Sequence, residues 1–229
     1  MSLIIALAVL PAIYLLVVIY RLDKIEKEPL GLIIKLFIFG GFSALIAATL
    51  EQYGQSILGL FQFNDTRVYT VIFAFLVVAV IEEGVKFLFL KRITWRHPAF
   101  NYRFDGIVYA VAVSLGFAAL ENIMYIFSYG LAVVIPRALL AIPAHTGFAV
   151  FMGAYFGRAK KAYDNGNIKK SRTLMFLGYI IAVFLHGFYD SVAMLEEPIF
   201  TTIFLIFVVV MYIVVIKKVR KESRTDSVV

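Results

Sequence analysis

Seven apolar stretches, each long enough to cross a lipid bilayer, occupy almost the whole chain. They lie at about 2–20, 30–50, 68–90, 104–127, 137–156, 173–194 and 198–216. A helix needs about 20 apolar residues to cross the hydrocarbon core, and it satisfies its backbone hydrogen bonds without water. Hydrophobic residues make up 62% of the chain and charged residues 16%, against about 25% charged in a soluble domain. We therefore expect an all-α, polytopic membrane helix bundle with about seven transmembrane helices, forming a single integral membrane domain over 1–229.

Basic residues are concentrated in alternate connections between these stretches. Of the 22 Lys and Arg residues, 18 lie in four segments, 21–28, 91–103, 157–172 and 217–229. Cytoplasmic connections carry an excess of Lys and Arg, which predicts an N-terminus outside the cell and a C-terminus in the cytoplasm. Segment 217–229 is then a basic cytoplasmic tail. The net charge of +7 therefore indicates membrane topology and not a nucleic-acid partner.

Two further features limit the classes of function. The first stretch has no basic residue before it, which is typical of a retained helix and not of a cleaved signal peptide. Cysteine is absent, which excludes a disulfide framework, a thiolate metal site and a cysteine nucleophile. Since the stretches leave no room for a soluble domain, we expect this multi-pass protein to act in or at the cell membrane.

Ionisable side chains within the stretches are few, and the deepest of them come from the third to the sixth stretch. A charge at the centre of a membrane helix costs at least about 2.5 to 3.5 kcal/mol, so these groups need a partner or a function. The deep polar residues are Glu82, Glu83, Lys86, Glu121, Asn122, His145, His186 and Asp190. At about 1.5 Å per residue, the two histidines lie at similar depths, compatible with one shared cluster. Asp105, near the start of the fourth stretch, is interpreted instead as an interfacial carboxylate near a helix N-terminus.

The spacing of these residues along their helices predicts which of them can meet. Glu82 and Glu83 lie four and three residues before Lys86, so the lysine can pair with one glutamate while the other turns elsewhere. His186 and Asp190 are also four residues apart, so the aspartate can accept a hydrogen bond from the imidazole. Four helices that each contribute such groups favour a joint site over separate structural contacts.

Four segments of the sequence resemble the motifs of one known family. They are EEGVK at 82–86, FAALEN at 117–122, IPAHTGFAVFMGAYFG around His145, and HGFYD at 186–190. In order, spacing and placement on helices they look like the motifs of PrsW-type intramembrane proteases. These proteases belong with the CAAX-prenyl endopeptidases and the bacteriocin-immunity (Abi) proteins. The resemblance covers about residues 20 to 195. It implies a bacterial membrane endopeptidase that makes the first, site-1-type cut in a membrane-anchored, single-pass anti-sigma factor.

The resemblance also implies roles for individual residues. Glu82 and Glu83 would be the glutamate motif, with one of them activating water as a base. His145 and His186 would be the catalytic imidazoles. The supporting residues would be Lys86, Glu121, Asn122 and Asp190.

One position departs from the pattern of the CAAX branch. That branch typically has FxxxH in its second motif, whereas here Phe117 is followed by Glu121, as in PrsW-like chains. This departure argues against a mechanism that needs a histidine at this position and leaves His145 and His186 as the imidazoles. Asp190 stands where relatives have Asn or Asp.

The chemistry of peptide hydrolysis can be assigned to these residue types. It requires a water, a base, a donor to the oxyanion and an acid for the leaving amine. A buried glutamate can act as the base, and a histidine can donate to the oxyanion or carry the proton. The HExxH and GxSxG patterns are absent, so the usual zincin motif and the nucleophile elbow are missing.

The reaction could proceed with or without a metal ion, and we favour the mechanism without one. In the alternative, a zinc ion would be held by Glu82, Glu121, His145 and His186, with an open position for water. Against zinc, the two histidines do not share a helix, and Lys86 adds positive charge where the ion would lie.

Two function classes other than a protease remain open. Intramembrane Glu, His and Asp residues also occur in the proton relays of transporters, although the internal repeat common in transporters is missing here. A noncatalytic membrane chaperone or immunity factor could use the same scaffold. Glutamate variants that fold but lose function would argue against the noncatalytic class.

Overall fold

The computed structural model describes residues 2–195 and 197–229 of the chain. The described residues form seven helices that pack as a bundle. They are α1 (Ser2–Leu22), α2 (Leu30–Leu58), α3 (66–94), α4 (Asp105–Tyr129), α5 (Leu131–Asp164), α6 (Ile168–Met194) and α7 (Pro198–Arg224). The only strand-like pairing within the described residues is an isolated bridge between Tyr102 and Val228. The predicted all-α membrane bundle is confirmed.

Six of the seven helices are long and apolar enough to cross a membrane; α3 is the exception. It contains Glu82, Glu83 and Lys86 within its apolar length, and it is the helix that contributes most to the polar cluster. Several helices are longer than the apolar stretches predicted: α2 continues to Leu58 and α7 to Arg224. The orientation of the termini stays a prediction.

Local sequence signals set several helix boundaries. The side chain of Asp65 accepts a hydrogen bond of 2.8 Å from the backbone of Arg67 and so caps the start of α3. Asn167 caps α6 in the same way, because short polar side chains satisfy the free N–H groups of a first turn. Gly130 and Gly166 follow α4 and α5, each with a φ of 79°, a conformation that glycine adopts without strain.

Helix α4 is the central helix of the bundle and is buried along most of its length. Two glycines let it approach α2 closely. A Cβ atom at Gly116 would lie 1.9 Å from the carbonyl oxygen of Phe37, and one at Gly40 would lie 2.0 Å from that of Val113. Small residues at helix contacts allow such backbone approach in membranes. The central helix is therefore fixed against α2.

Two of the helices contain π-helical turns shortly before their deep polar residues. In α3 the π segment Phe73–Ala79 precedes Glu82 and Glu83. In α5 the π segment Arg137–Ala141 precedes His145. A π turn inserts an extra residue and so rotates the side chains that follow it, and such turns are frequent at functional sites. Both rotations lie immediately before the polar cluster.

The C-terminal segment packs against the connection between α3 and α4. The backbone N–H groups of Val229 and Arg103 donate to the carbonyl oxygens of Asn101 and Ser227, each at 3.0 Å. Segment 217–224, part of the predicted tail, is helical and continues α7, and its Glu222 is paired with Arg103. Its cytoplasmic location stays a prediction. The residues that follow α7 thus contact the segment just before α4 at the basic end of the bundle.

Candidate active site

The four catalytic candidates from the sequence lie together in the interior of the bundle. Glu82 and Glu83 come from α3, His145 from α5 and His186 from α6, and all four side chains are buried. Carboxylate oxygens and ring nitrogens from these residues lie within 4.8 Å of one another. The two imidazole rings have their centroids 5.2 Å apart. The helices thus bring together two carboxylates and two imidazoles that are up to about a hundred residues apart in sequence.

Lys86 lies at the centre of this cluster. Its Nζ donates to Glu82 Oε2 at 2.9 Å and to Glu83 Oε1 at 2.8 Å. The same atom lies 3.3 Å from His145 Nδ1 and 3.9 Å from the centre of the Phe117 ring. The sequence predicted a pair with one glutamate only. The ammonium reaches both because it has three N–H donors and the two glutamates are adjacent on the same helix.

His186 is held between carboxylates on both sides of its ring. Nδ1 lies 2.9 Å from Glu83 Oε1, and Nε2 lies 3.2 Å from Asp190 Oδ2. Nε2 is also 3.9 Å from Glu82 Oε2, and the ring stacks on Phe148 with 4.8 Å between centroids. These contacts fix the plane and direction of the imidazole. Asp190 lies one turn along α6, where the sequence predicted it.

His145 is linked to a second group of polar residues. Its Nε2 lies 3.0 Å from Glu121 Oε2. Arg137 donates to the same oxygen at 2.7 Å and to Asn122 Oδ1 at 2.6 Å. The Asn122 amide donates to the carbonyl oxygen of Ala8 at 3.3 Å. Glu121 therefore contacts both His145 and Arg137, and Asn122 holds Arg137 by a second hydrogen bond.

A cavity of about 450 Å³ opens onto this cluster, a volume within the range of ligand sites. The carboxylate, guanidinium and imidazole groups of its lining come from Glu51, Glu82, Glu121, Arg137, His145, His186 and Asp190. Glu83 does not line the cavity, although it is adjacent in sequence to Glu82. The two glutamates thus differ in access: Glu82 faces the cavity and Glu83 lies behind it.

Sequence reasoning missed two residues of this cavity. Glu51 follows the residue at which the second apolar stretch was ended, but α2 continues through it to Leu58. Arg137 is the first residue of the fifth apolar stretch and was not among the candidate residues. Its position was a usable signal, because a basic residue is rare on the side of the membrane predicted to be extracytoplasmic.

The donor types of the cluster fit a zinc ion, since zinc accepts carboxylate oxygens and imidazole nitrogens. Such an ion would be held by Glu82, Glu83, His145 and His186. The zinc ligands predicted from the sequence included Glu121 and not Glu83. In the structure Glu121 contacts His145 and is paired with Arg137. Lys86 opposes an ion, because its ammonium is already bonded to both glutamates.

Comparison with known proteins identifies relatives along most of the chain. A family model described as "PrsW family intramembrane metalloprotease" matches residues 28–216. The Protease PrsW of Geobacillus kaustophilus is 36% identical over 193 residues, which cover 84% of this chain and 80% of that relative. The Protease PrsW of Clostridioides difficile is 34% identical over 221 residues, with 94% and 89% covered.

A third relative has a similar degree of likeness. The Protease PrsW of Bacillus subtilis is 31% identical over 189 residues, which cover 82% of each chain. No solved structure matches the chain. The region that the family model matches, 28–216, includes all of the deep polar residues described above.

Proposed function

Because the chain belongs to the PrsW family of intramembrane metalloproteases, and is thus a multi-pass protease of the bacterial membrane, we propose that it cuts its substrate with a glutamate-activated water. The substrate is a membrane-anchored protein that reaches the site through the bilayer. The single observation that carries the mechanism is the difference between the glutamates: Glu82 lines the cavity and Glu83 does not.

Glu82 is the general base in this proposal. A base must lie within hydrogen-bond reach of the water that it deprotonates, and the carboxylate of Glu82 borders the 450 Å³ cavity in which water and a peptide bond can meet. Lys86 holds one of its oxygens at 2.9 Å, which leaves the other oxygen available for a water. The attacking water would be bound between this carboxylate and the peptide carbonyl carbon.

Glu83, Lys86 and Asp190 act as positioning residues. Glu83 accepts from Lys86 and faces His186 Nδ1, so it fixes both neighbours without bordering the cavity. Asp190 faces the other ring nitrogen of His186. A ring with a carboxylate oxygen at each nitrogen donates two hydrogen bonds when both nitrogens carry protons. His186 is therefore suited to give a proton to the leaving amine.

His145 is the second group that faces the substrate. It lines the cavity, and its Nε2 is oriented by Glu121, which is in turn held by Arg137. An imidazole N–H that is held in a water-poor site can stabilise the negative charge that develops on the carbonyl oxygen. In the structure Nε2 faces Glu121 and Nδ1 faces the Lys86 ammonium, so the proton lies on Nε2. We assign His145 to that role with its Nε2–H shared between the oxyanion and Glu121, which is its positioning residue.

A zinc-dependent version of the same protease is the second candidate, and the four donor atoms within 4.8 Å support it. A bound zinc ion would polarise the peptide carbonyl and lower the pKa of a water molecule. We favour the metal-free version because Lys86 is bonded to both glutamates at the centre of the donor set. A proton-coupled transporter is disfavoured by the family match.

The substrate proposed is a single-pass anti-sigma factor, in keeping with the site-1-type cleavage that the resemblance implies. The test is to reconstitute the purified protein with candidate single-pass proteins in liposomes and to map the cut by mass spectrometry. We expect one cut within or next to the transmembrane segment of an anti-sigma factor. The cut should be missing with Glu82→Gln. Cleavage of other membrane proteins but not of anti-sigma factors would contradict the substrate assignment alone.

A further inference from the structure

Three carboxylates from distant parts of the sequence meet at the basic end of the bundle, away from the active site. Asp23 follows α1, Glu28 precedes α2, and Asp105 begins α4. One oxygen from each lies within 4.8 Å of the others, and the residues are 1%, 3% and 0% exposed. Asp105 was interpreted as an ordinary interfacial carboxylate from its sequence position. Its complete burial with two other acids requires a different account.

Two of these carboxylates have a buried oxygen without a partner. Asp105 Oδ2 accepts from the backbone N–H groups of Asn101 and Tyr102 at 3.0 and 2.7 Å. Glu28 Oε2 accepts from the Tyr109 hydroxyl. Within residues 2–195 and 197–229, however, Asp23 Oδ2 and Asp105 Oδ1 accept no hydrogen bond. Buried polar atoms are normally paired, so a buried oxygen with no partner suggests a missing water or ion.

Within the described residues, no basic side chain forms an ion pair with any of these three carboxylates. Lys27 is close in sequence, but its Nζ donates to the backbone carbonyl oxygens of Tyr20, Arg21 and Asp23 and not to a carboxylate. Buried charges are normally paired or coordinate a metal ion. The cluster therefore needs either bound protons or a cation.

We propose that Asp23, Glu28 and Asp105 form a site for a hard divalent cation of the Ca²⁺, Mg²⁺ or Mn²⁺ class. All three donors are oxygens, which these ions prefer and which set the site apart from the mixed Glu and His cluster of the active site. The ion would join the connection between α1 and α2 to the start of α4, the central helix. This role is structural and does not depend on the proposed proteolysis.

The test measures cation binding and thermal unfolding of the full chain in detergent after chelation. Ca²⁺, Mg²⁺ and Mn²⁺ are added separately, and Mn²⁺ binding is counted by electron paramagnetic resonance. We expect a concentration-dependent rise in Tm of a few degrees, because an ion that binds the folded state stabilises it. The double variant Asp23→Asn/Asp105→Asn should lose this rise, while Glu26→Gln, an exposed glutamate in the same connection, should keep it.

A second variant separates this site from the active site. Glu82→Gln/His186→Gln should still bind one Mn²⁺ and show the same rise in Tm. The proposal is overturned if none of the three cations binds or stabilises the wild-type chain, as a cluster neutralised by protons would predict. It is also overturned if the double aspartate variant keeps the response or if the active-site variant loses it. If the aspartate variant does not fold, the number of Mn²⁺ ions bound by the active-site variant still tests the proposal. One bound ion is expected, and no bound ion would contradict the proposal.

Discussion

Replacing Lys86 by methionine should destabilise the protein more strongly than any other single change at the cluster. Lys86 is bonded to two buried carboxylates at 2.9 and 2.8 Å. Methionine has a similar length but no charge, so Lys86→Met would leave Glu82 and Glu83 buried side by side without their cation. Breaking a buried ion pair in this way costs about 3 to 5 kcal/mol, because an uncompensated charge remains.

The size of the effect on Tm follows from the length of the chain. For a protein of 150 to 250 residues, 1 kcal/mol at the unfolding midpoint corresponds to about 2 to 4 °C. Lys86→Met should therefore lower Tm by about 6 to 20 °C. The double variant Glu83→Gln/Lys86→Met removes one of the two charges that would be left, so it should be more stable than Lys86→Met alone.

The assay is thermal unfolding in detergent micelles at fixed pH and salt, with a matched lysine as control. Lys35 is an exposed residue of α2, and surface changes are usually within about 0.5 kcal/mol, so Lys35→Met should leave Tm almost unchanged. If Lys86→Met unfolds at the wild-type temperature, or if the added Glu83→Gln change lowers Tm further, the two glutamates do not depend on Lys86 for charge compensation.

Three further predictions concern the histidine site, metal and the central helix. His186→Ala should abolish cleavage, whereas Asp190→Asn, which removes only a positioning charge, should reduce kcat by less; equal losses would contradict the separate roles. Protein that has been extensively chelated, and shown by metal analysis to be free of metal, should keep its activity. The metal-free version would be contradicted if the protein contains stoichiometric zinc, loses cleavage when the zinc is removed and regains cleavage when the zinc is returned. Gly116→Ala places a Cβ atom 1.9 Å from a backbone oxygen of α2 and should cost about 1 to 3 kcal/mol of stability. In Gly31→Ala the added atom meets nothing within 4 Å, so this variant should keep the wild-type stability. Equal Tm values for the Gly116 and Gly31 variants would contradict the close approach of α2 and α4.

The helices and the polar cluster could be predicted from the sequence because both depend on the cost of polarity in hydrocarbon. Apolar stretches gave the seven helices, and the rare deep charges identified Glu82, Glu83, His145 and His186 as neighbours. Helix length was less predictable. Helix α2 continues past its apolar stretch to Leu58, and Glu51, which lines the cavity, was missed because the stretch was ended at residue 50.

Contacts that depend on the tertiary arrangement could not be predicted. The hydrophobic pattern contains no signal for the π turns that precede Glu82 and His145. It also gives no sign that Asp105, placed at an interface by its position, is buried under the 23–28 connection beside Asp23 and Glu28. Both features depend on contacts between segments that are distant in sequence, which a single stretch of sequence does not determine.

The most direct test of the central claim is the rate at which Glu82→Gln cleaves a confirmed substrate in proteoliposomes. Glu197→Gln, a change at an exposed ion pair, is the matched control. If Glu82 activates the water, Glu82→Gln should keep a wild-type Tm and lose at least about 100-fold in rate, the lower range for removing a general base. The control should cleave normally. Cleavage by Glu82→Gln at the wild-type rate would contradict the assignment of Glu82 as the base.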